Sequence, residues 1–195
     1  IFIRQKDRLY IIHFCLVKLR VLKYHSLRRK NMTAEHDYKY YTNLGIEKTN
    51  SKEFDEALDA LDKAVELKPD YALAYFSKGI VFHNLNQIQA AYENYTKAIE
   101  YKSDMTDAYY NRAQTILAFD NPDENELKQA LKDLSKAVEL DLKFIDALYY
   151  KAVVQKKLKD YEGAVETLDK ALEIEPQAVY SKALRNLILQ KYLNK

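Results

Sequence analysis

Ala57, Ala91, Ala130 and Ala164 each stand seven residues before a second alanine, at Ala64, Ala98, Ala137 and Ala171. The doublet recurs at intervals of 34, 39 and 34 residues. Seven residues are about two helical turns, so both alanines of a doublet fall on one helix face. A chain that repeats itself at this period builds a stack of like units, each burying its apolar side against the next. A single closed core has no need of such a period.

Aligned on the doublets, the units run 38–71, 72–105, 106–144 and 145–178, and each reads as two helices joined by a tight turn. In the first, Tyr41, Leu44, Leu58, Leu61, Val65 and Leu67 recur at helical spacing. Thr49-Asn50-Ser51-Lys52 separates the two helices and Pro69-Asp70 closes the unit, where a residue without an amide donor makes a good stop. Two antiparallel helices approach closely only where the facing side chains are small. Gly45, Gly79, Ala113 and Ala152 occupy matching places on the first helices, opposite the alanines of the second. Leu61, Tyr95, Leu134 and Leu168 sit between the alanines and are expected to fill the space between neighbouring units.

These units resemble the tetratricopeptide repeat, a helix–turn–helix of 34 residues. Tyr41-x-x-Leu44-Gly45 with Ala57, Leu61, Ala64 and Pro69 carries the resemblance, as does Tyr75-x-x-Lys78-Gly79-x-x-Phe82 with Ala91, Tyr95 and Ala98. Leu148, Lys151, Ala152, Tyr161, Ala164, Leu168, Ala171 and Pro176 carry it in the last unit. The implied fold is all-α, a right-handed superhelical solenoid of antiparallel helix pairs. Ser103 and Leu142 stand where proline is usual, and the third unit is five residues too long. The excess falls on Asp120-Asn121-Pro122-Asp123-Glu124-Asn125-Glu126, whose polar residues and proline predict a protruding loop. Residues 179–195 are expected to form a capping helix, with Leu184, Leu187, Ile188 and Tyr192 inward and Lys182, Arg185, Gln190 and Lys191 mostly outward.

Charge divides the chain. Residues 1–31 carry nine Lys/Arg and one acid, whereas 32–195 carry 22 Lys/Arg and 28 acids. The mildly acidic body gives no electrostatic reason to expect nucleic acid. The apolar run Leu9–Val17 is far too short to span a bilayer, so no integral membrane span is expected. The basic leader can be an organelle presequence or an extension of the fold. A third reading is favoured: Arg28-Arg29-Lys30-Asn31-Met32 suits a purine-rich ribosome-binding site read in frame, with the natural start at Met32 and the repeat domain over 32–195. One cysteine, Cys15, excludes an internal disulfide framework and fits a cytoplasmic protein.

No catalytic constellation is present in the sequence. Phosphate-binding glycine loops, His-x-x-x-His spacing and nucleophile motifs are all missing, and His13, His25, His36 and His83 are scattered. The expectation is a non-enzyme without metal or cofactor. Asp59, Asp62, Glu66, Asp133, Glu139, Asp169 and Glu173 lie among lysines on the second helices and read as a solvated outer face.

The resemblance also implies a concave groove lined by the first helices. The matching places are Thr42, Asn43, Ile46 and Thr49, then Leu73, Phe76, Ser77, Ile80, His83 and Asn84. Asp107, Tyr110, Asn111, Gln114 and Leu117 follow, then Asp146, Tyr149, Tyr150, Val153, Lys156 and Lys157. The candidate site is Phe76, Ile80, His83, Tyr110, Asn111, Gln114, Tyr149 and Val153, where aromatics beside amides suit a peptide or partner helix. Tyr150 alternatively packs between units. Family members that grip chaperone C-terminal tails use lysine, asparagine and arginine as a carboxylate clamp. Asn111 matches the middle asparagine, but Phe76, Ile80, Asp146 and Tyr150 stand where the other clamp residues belong, so such tails are not expected as partners. The expected role is adaptor, scaffold or assembly factor. The alternatives are a self-associating structural piece and a regulatory fragment of a larger enzyme complex.

Overall fold

A computed structural model describes residues 37–193. The leader 1–31, with His13, Cys15 and His25, lies outside the described residues, as do Met32 and His36. Those described are helical and hairpin-like throughout. The helices are α1 (37–50), α2 (Phe54–Leu67), α3 (Ala72–Asn84), α4 (Ile88–Tyr101), α5 (Thr106–Leu117), α6 (Glu124–Leu140), α7 (Ile145–Lys157), α8 (Tyr161–Ile174) and α9 (Val179–Ile188). A π-helical turn over Leu189–Leu193 continues α9. Successive helices pack on one another along the chain, which is the contact pattern of a solenoid.

The alanine doublets mark the packing seams. All eight of their side chains are fully buried. Between them Leu61, Tyr95, Leu134 and Leu168 are buried to 1% exposure or less. Removing each from water contributes about 2–3 kcal/mol. Close approach is strict at the glycines. A Cβ on Gly45 would lie 2.5 Å from Leu61 Cγ, and one on Gly79 would lie 2.5 Å from the Tyr95 ring.

The turns between paired helices share a backbone solution. Lys52, Asn86 and Lys159 have φ of 61°, 56° and 66°. Each ends a first helix with two reverse hydrogen bonds: the Asn86 amide donates to the His83 carbonyl and the Gln87 amide to the Phe82 carbonyl. Lys52 with Glu53, and Lys159 with Asp160, repeat the pattern. A left-handed backbone is unfavourable for a lysine, so two of these turns are held against local preference.

The long third unit differs from the expected protruding loop. α6 has 17 residues where α4 and α8 have 14. Asp123 caps it, accepting from the Glu126 amide at 2.8 Å while the Glu126 carboxylate accepts from the Asp123 amide at 2.8 Å. This reciprocal cap turns Glu124–Glu126 into helix, and only Ala118–Asp123 remains as connection.

The final helix also departs from expectation. Leu184 and Ile188 are buried, but Leu187 and Tyr192 are 46% and 37% exposed, and Ser181 is buried instead. Arg185 does not face away; its guanidinium donates to Asp169 on α8. Tyr192 stacks on Tyr161 with ring centroids 4.4 Å apart.

Candidate partner-binding face

α3, α5 and α7 bring the candidate residues to equivalent places one helix pair apart. Phe76, Ile80, His83, Tyr110, Asn111, Gln114, Tyr149 and Val153 are all partly buried, neither core nor free surface. Phe76 packs against the buried cluster of Tyr75, Ala98, Ile99 and Ala108, its ring 5.8 Å from that of Tyr95. Val153 and Tyr149 pack on Ala152, Ala164, Leu168, Leu184 and Ile188.

Aromatic rings link the later repeats into a ladder. Tyr110 lies 4.8 Å from Phe144 and 5.9 Å from Tyr150. Tyr150 lies 5.3 Å from Tyr149, and Tyr149 lies 6.2 Å from Tyr180. Tyr150 thus packs between units while also touching the face. The Gln114 side-chain amide donates to the Tyr110 hydroxyl. Burial pushes the Tyr110 phenol up to about 12, helped by the nearby Asp146 carboxylate and Tyr150. Burial also raises Tyr149, with Tyr150 and Tyr180 adding to it. Both phenols are therefore neutral donors near pH 7.

Two other groove expectations fail. Thr42 and Ser77 are buried at 0% and 3% exposure. The Thr42 hydroxyl turns back to donate to the Tyr38 carbonyl at 2.8 Å. Short hydroxylated side chains reach their own helix carbonyls more readily than a distant partner.

The assignment of Asp133 to a solvated face is also overturned, since it is 1% exposed. Arg112 on α5 grips it with two hydrogen bonds of 2.7 Å, from Nε and Nη2. Gln129 donates to the same carboxylate at 2.9 Å, and Arg112 Nη1 donates to Thr96 on α4 at 3.2 Å. The Tyr92 and Tyr109 rings flank the guanidinium at 5.8 and 5.9 Å. Burial opposes the Arg112 charge, but the Asp133 hydrogen bonds and charge outweigh it and raise its pKa. Asp59, Asp62, Glu66, Glu139 and Glu173 are exposed as expected.

One polar theme crosses the seams. Lys78 bridges Asp62 at 2.5 Å, Arg112 reaches Thr96 and Arg185 bridges Asp169, each pair 16 residues apart. The same spacing pairs Lys151 with Ser135, which has no charge to offer. Burial and the nearby Lys170 lower the Lys151 pKa. Among the described residues, no grouping of three or more His, Cys, Asp or Glu is placed to hold a metal. No described helix is long and apolar enough to cross a membrane.

Paired helices stacked at a 34-residue period, with small residues at every seam, define a helical-hairpin repeat solenoid. Models of the tetratricopeptide repeat match residues 49–86, 72–105 and 145–177. The chain is a tetratricopeptide repeat protein, an all-α right-handed superhelical array. Among solved structures, MamA is similar at a TM-score of 0.72 and 20% identity, over 80% of this chain and 82% of that one. YrrB, described as a TPR protein with an unusual peptide-binding site, reaches 0.73 at 20% identity over 86% and 84%. The Arabidopsis OM64 TPR domain reaches 0.56 at 25% identity over 62% and 96%. No curated protein matches the chain. Proteins of this family generally mediate protein–protein interaction.

Proposed function

We propose that the chain is a non-enzymatic interaction module that holds a peptide or partner helix against the first-helix face, as an adaptor, scaffold or assembly factor. The aromatic ladder from Phe144 through Tyr110, Tyr150 and Tyr149 to Tyr180 carries this reading. It offers rigid apolar area with phenolic donors, a combination that anchors peptides at little entropic cost. Ile80, Gln114 and Val153 form the central row, flanked by Phe76, His83 and Asn111. The solenoid likeness to YrrB supports the reading, because that relative is described as having a peptide-binding site. In this proposal 38–178 is the array of four repeats, 179–195 its cap, and the setting cytoplasmic. The misplaced clamp residues argue against chaperone tails and for another partner.

Tyr110 is packed between Phe144 and Tyr150, so truncating it would also damage the seam. A cleaner test uses Val153→Asp with His83→Ala. Twelve-residue peptides selected on the chain from a random display library should bind this variant about tenfold more weakly or worse. Equal binding, with an unchanged circular dichroism spectrum, would remove this face from consideration. A second reading, self-association through the last helix, is favoured by Val179 and Tyr180, which are 72% and 77% exposed. Light scattering decides it: a monomer at high micromolar concentration excludes it.

A further inference from the structure

From α3 onward, a matching aromatic on each first helix, Phe76, Tyr110 and Tyr149, lies in register toward the residue that precedes the next first helix. At the α3–α5 seam Phe76 and Met105 both pack against the same buried cluster. At the α5–α7 seam Tyr110 meets Phe144, with ring centroids 4.8 Å apart. At the α7–α9 seam the aromatic is Tyr149, but the residue before α9 is Ala178. The missing side chain leaves a cavity of about 260 Å³. Tyr149, Tyr180, Asp146 and Glu175 line it, with Ile145 and Ser181 beneath.

The charged side chains of the lining have one sign. Tyr149 and Tyr180 rings stand 6.2 Å apart at 54°, and aromatic faces attract cations. Asp146 and Glu175 add two carboxylates. Neither pairs with a cationic side chain within 4 Å among the described residues. No lysine, arginine or histidine lines the cavity. Tyr180 is 77% exposed, so its ring is available. The cavity is also continuous with the proposed binding face, since Tyr149 touches Tyr150 and Tyr150 touches Tyr110.

We propose that this pocket receives the lysine or arginine side chain of the bound peptide, whose aliphatic stem replaces the side chain missing at Ala178 and whose charge sits between the tyrosine rings and the two carboxylates. The proposal rests on the binding-face reading and adds a requirement: the partner carries a basic residue where it crosses α7 and α9. Neutral residues leave the two carboxylates unpaired and acidic ones are repelled by them, since no cationic side chain lines the cavity.

The test needs no identified partner. Nα-acetyl-arginine amide, Nα-acetyl-lysine amide and uncharged Nα-acetyl-norleucine amide are titrated into the full chain, following the backbone amides of Ala178, Val179 and Tyr180 by NMR. The two cationic amides should give saturable shifts, and norleucine should not. Asp146→Asn with Glu175→Gln should weaken the cationic amides about tenfold. Ala178→Phe, which restores the side chain seen at Phe144, should abolish binding. Equal responses to norleucine, no response to the cationic amides, or cationic binding unchanged in Asp146→Asn with Glu175→Gln would each overturn the proposal. The double variant changes only exposed charges, so it remains informative if Ala178→Phe misfolds. Failure here leaves the binding-face reading standing, because that is tested separately by Val153→Asp with His83→Ala on display-selected peptides.

Discussion

In the third helix pair Asp133 is buried in an ion pair with Arg112, while in the fourth the matching residue is Thr167, buried in a neutral pair with Gln155. Both solutions are satisfied. The Thr167 hydroxyl donates to Gln155 Oε1 at 2.7 Å, and Gln155 Nε2 donates to the Asp160 carboxylate at 2.8 Å. They differ in what happens when one member is lost. A neutral amide left without a partner costs a modest desolvation, whereas a buried guanidinium left without its carboxylate has no neutral form to retreat to. The repeat architecture thus accepts either chemistry at one place, with very different tolerance to change.

The largest expected effect is therefore at Asp133. Asp133→Ala should cost about 3–5 kcal/mol in urea unfolding, because Arg112 stays buried and charged. Thr167→Val, at the matching place, should cost about 1 kcal/mol. Equal losses would break the comparison. The inter-helix turns sharpen it further. Lys159 holds a left-handed φ of 66° and Asn121 in the third pair one of 57°. Asparagine tolerates that conformation and lysine does not, so Lys159→Gly should stabilise by about 1 kcal/mol and Asn121→Gly by only a few tenths. Differential scanning calorimetry on the two variants reads both.

The smallest effect concerns Lys151, the register counterpart of Arg112. Its folded pKa is depressed by burial and Lys170, so the native state disfavours its charge. Stability from such a group is present above the unfolded lysine pKa and is lost as pH falls through the folded value. At pH 7 the wild type carries that penalty in full. Lys151→Met should accordingly raise the melting temperature slightly at pH 7. The gain should shrink as pH approaches the usual lysine range, and a gain that grows with pH would be the wrong sign.

The fold was legible because the alanine and glycine positions encode a local steric demand: nothing larger fits where two helices touch. Gly79 and Ala98 say this without reference to any other part of the chain. The cap on α6 was also legible in Asp123-x-x-Glu126, a spacing that marks a helix start, but the proline before it drew the segment into a loop. Asp133 could not be read from its own neighbourhood. A carboxylate among lysines looks solvated, and only Arg112, 21 residues away, makes its burial tolerable. On the binding face, the period placed Tyr110 and Tyr149 on matching helices. It could not show that Phe144 fills one seam while Ala178 leaves the next one empty, because that depends on side-chain volume across a gap.

Asn186 stands in the register of Gly45, Gly79, Ala113 and Ala152, and it is exposed on α9. Each of those small residues lets a second helix come close; a Cβ on Gly45 or Gly79 would already lie 2.5 Å from Leu61 or Tyr95. An asparagine brings a larger side chain to that register, so a helix packed there would have to stand farther from α9 than α4 stands from α3.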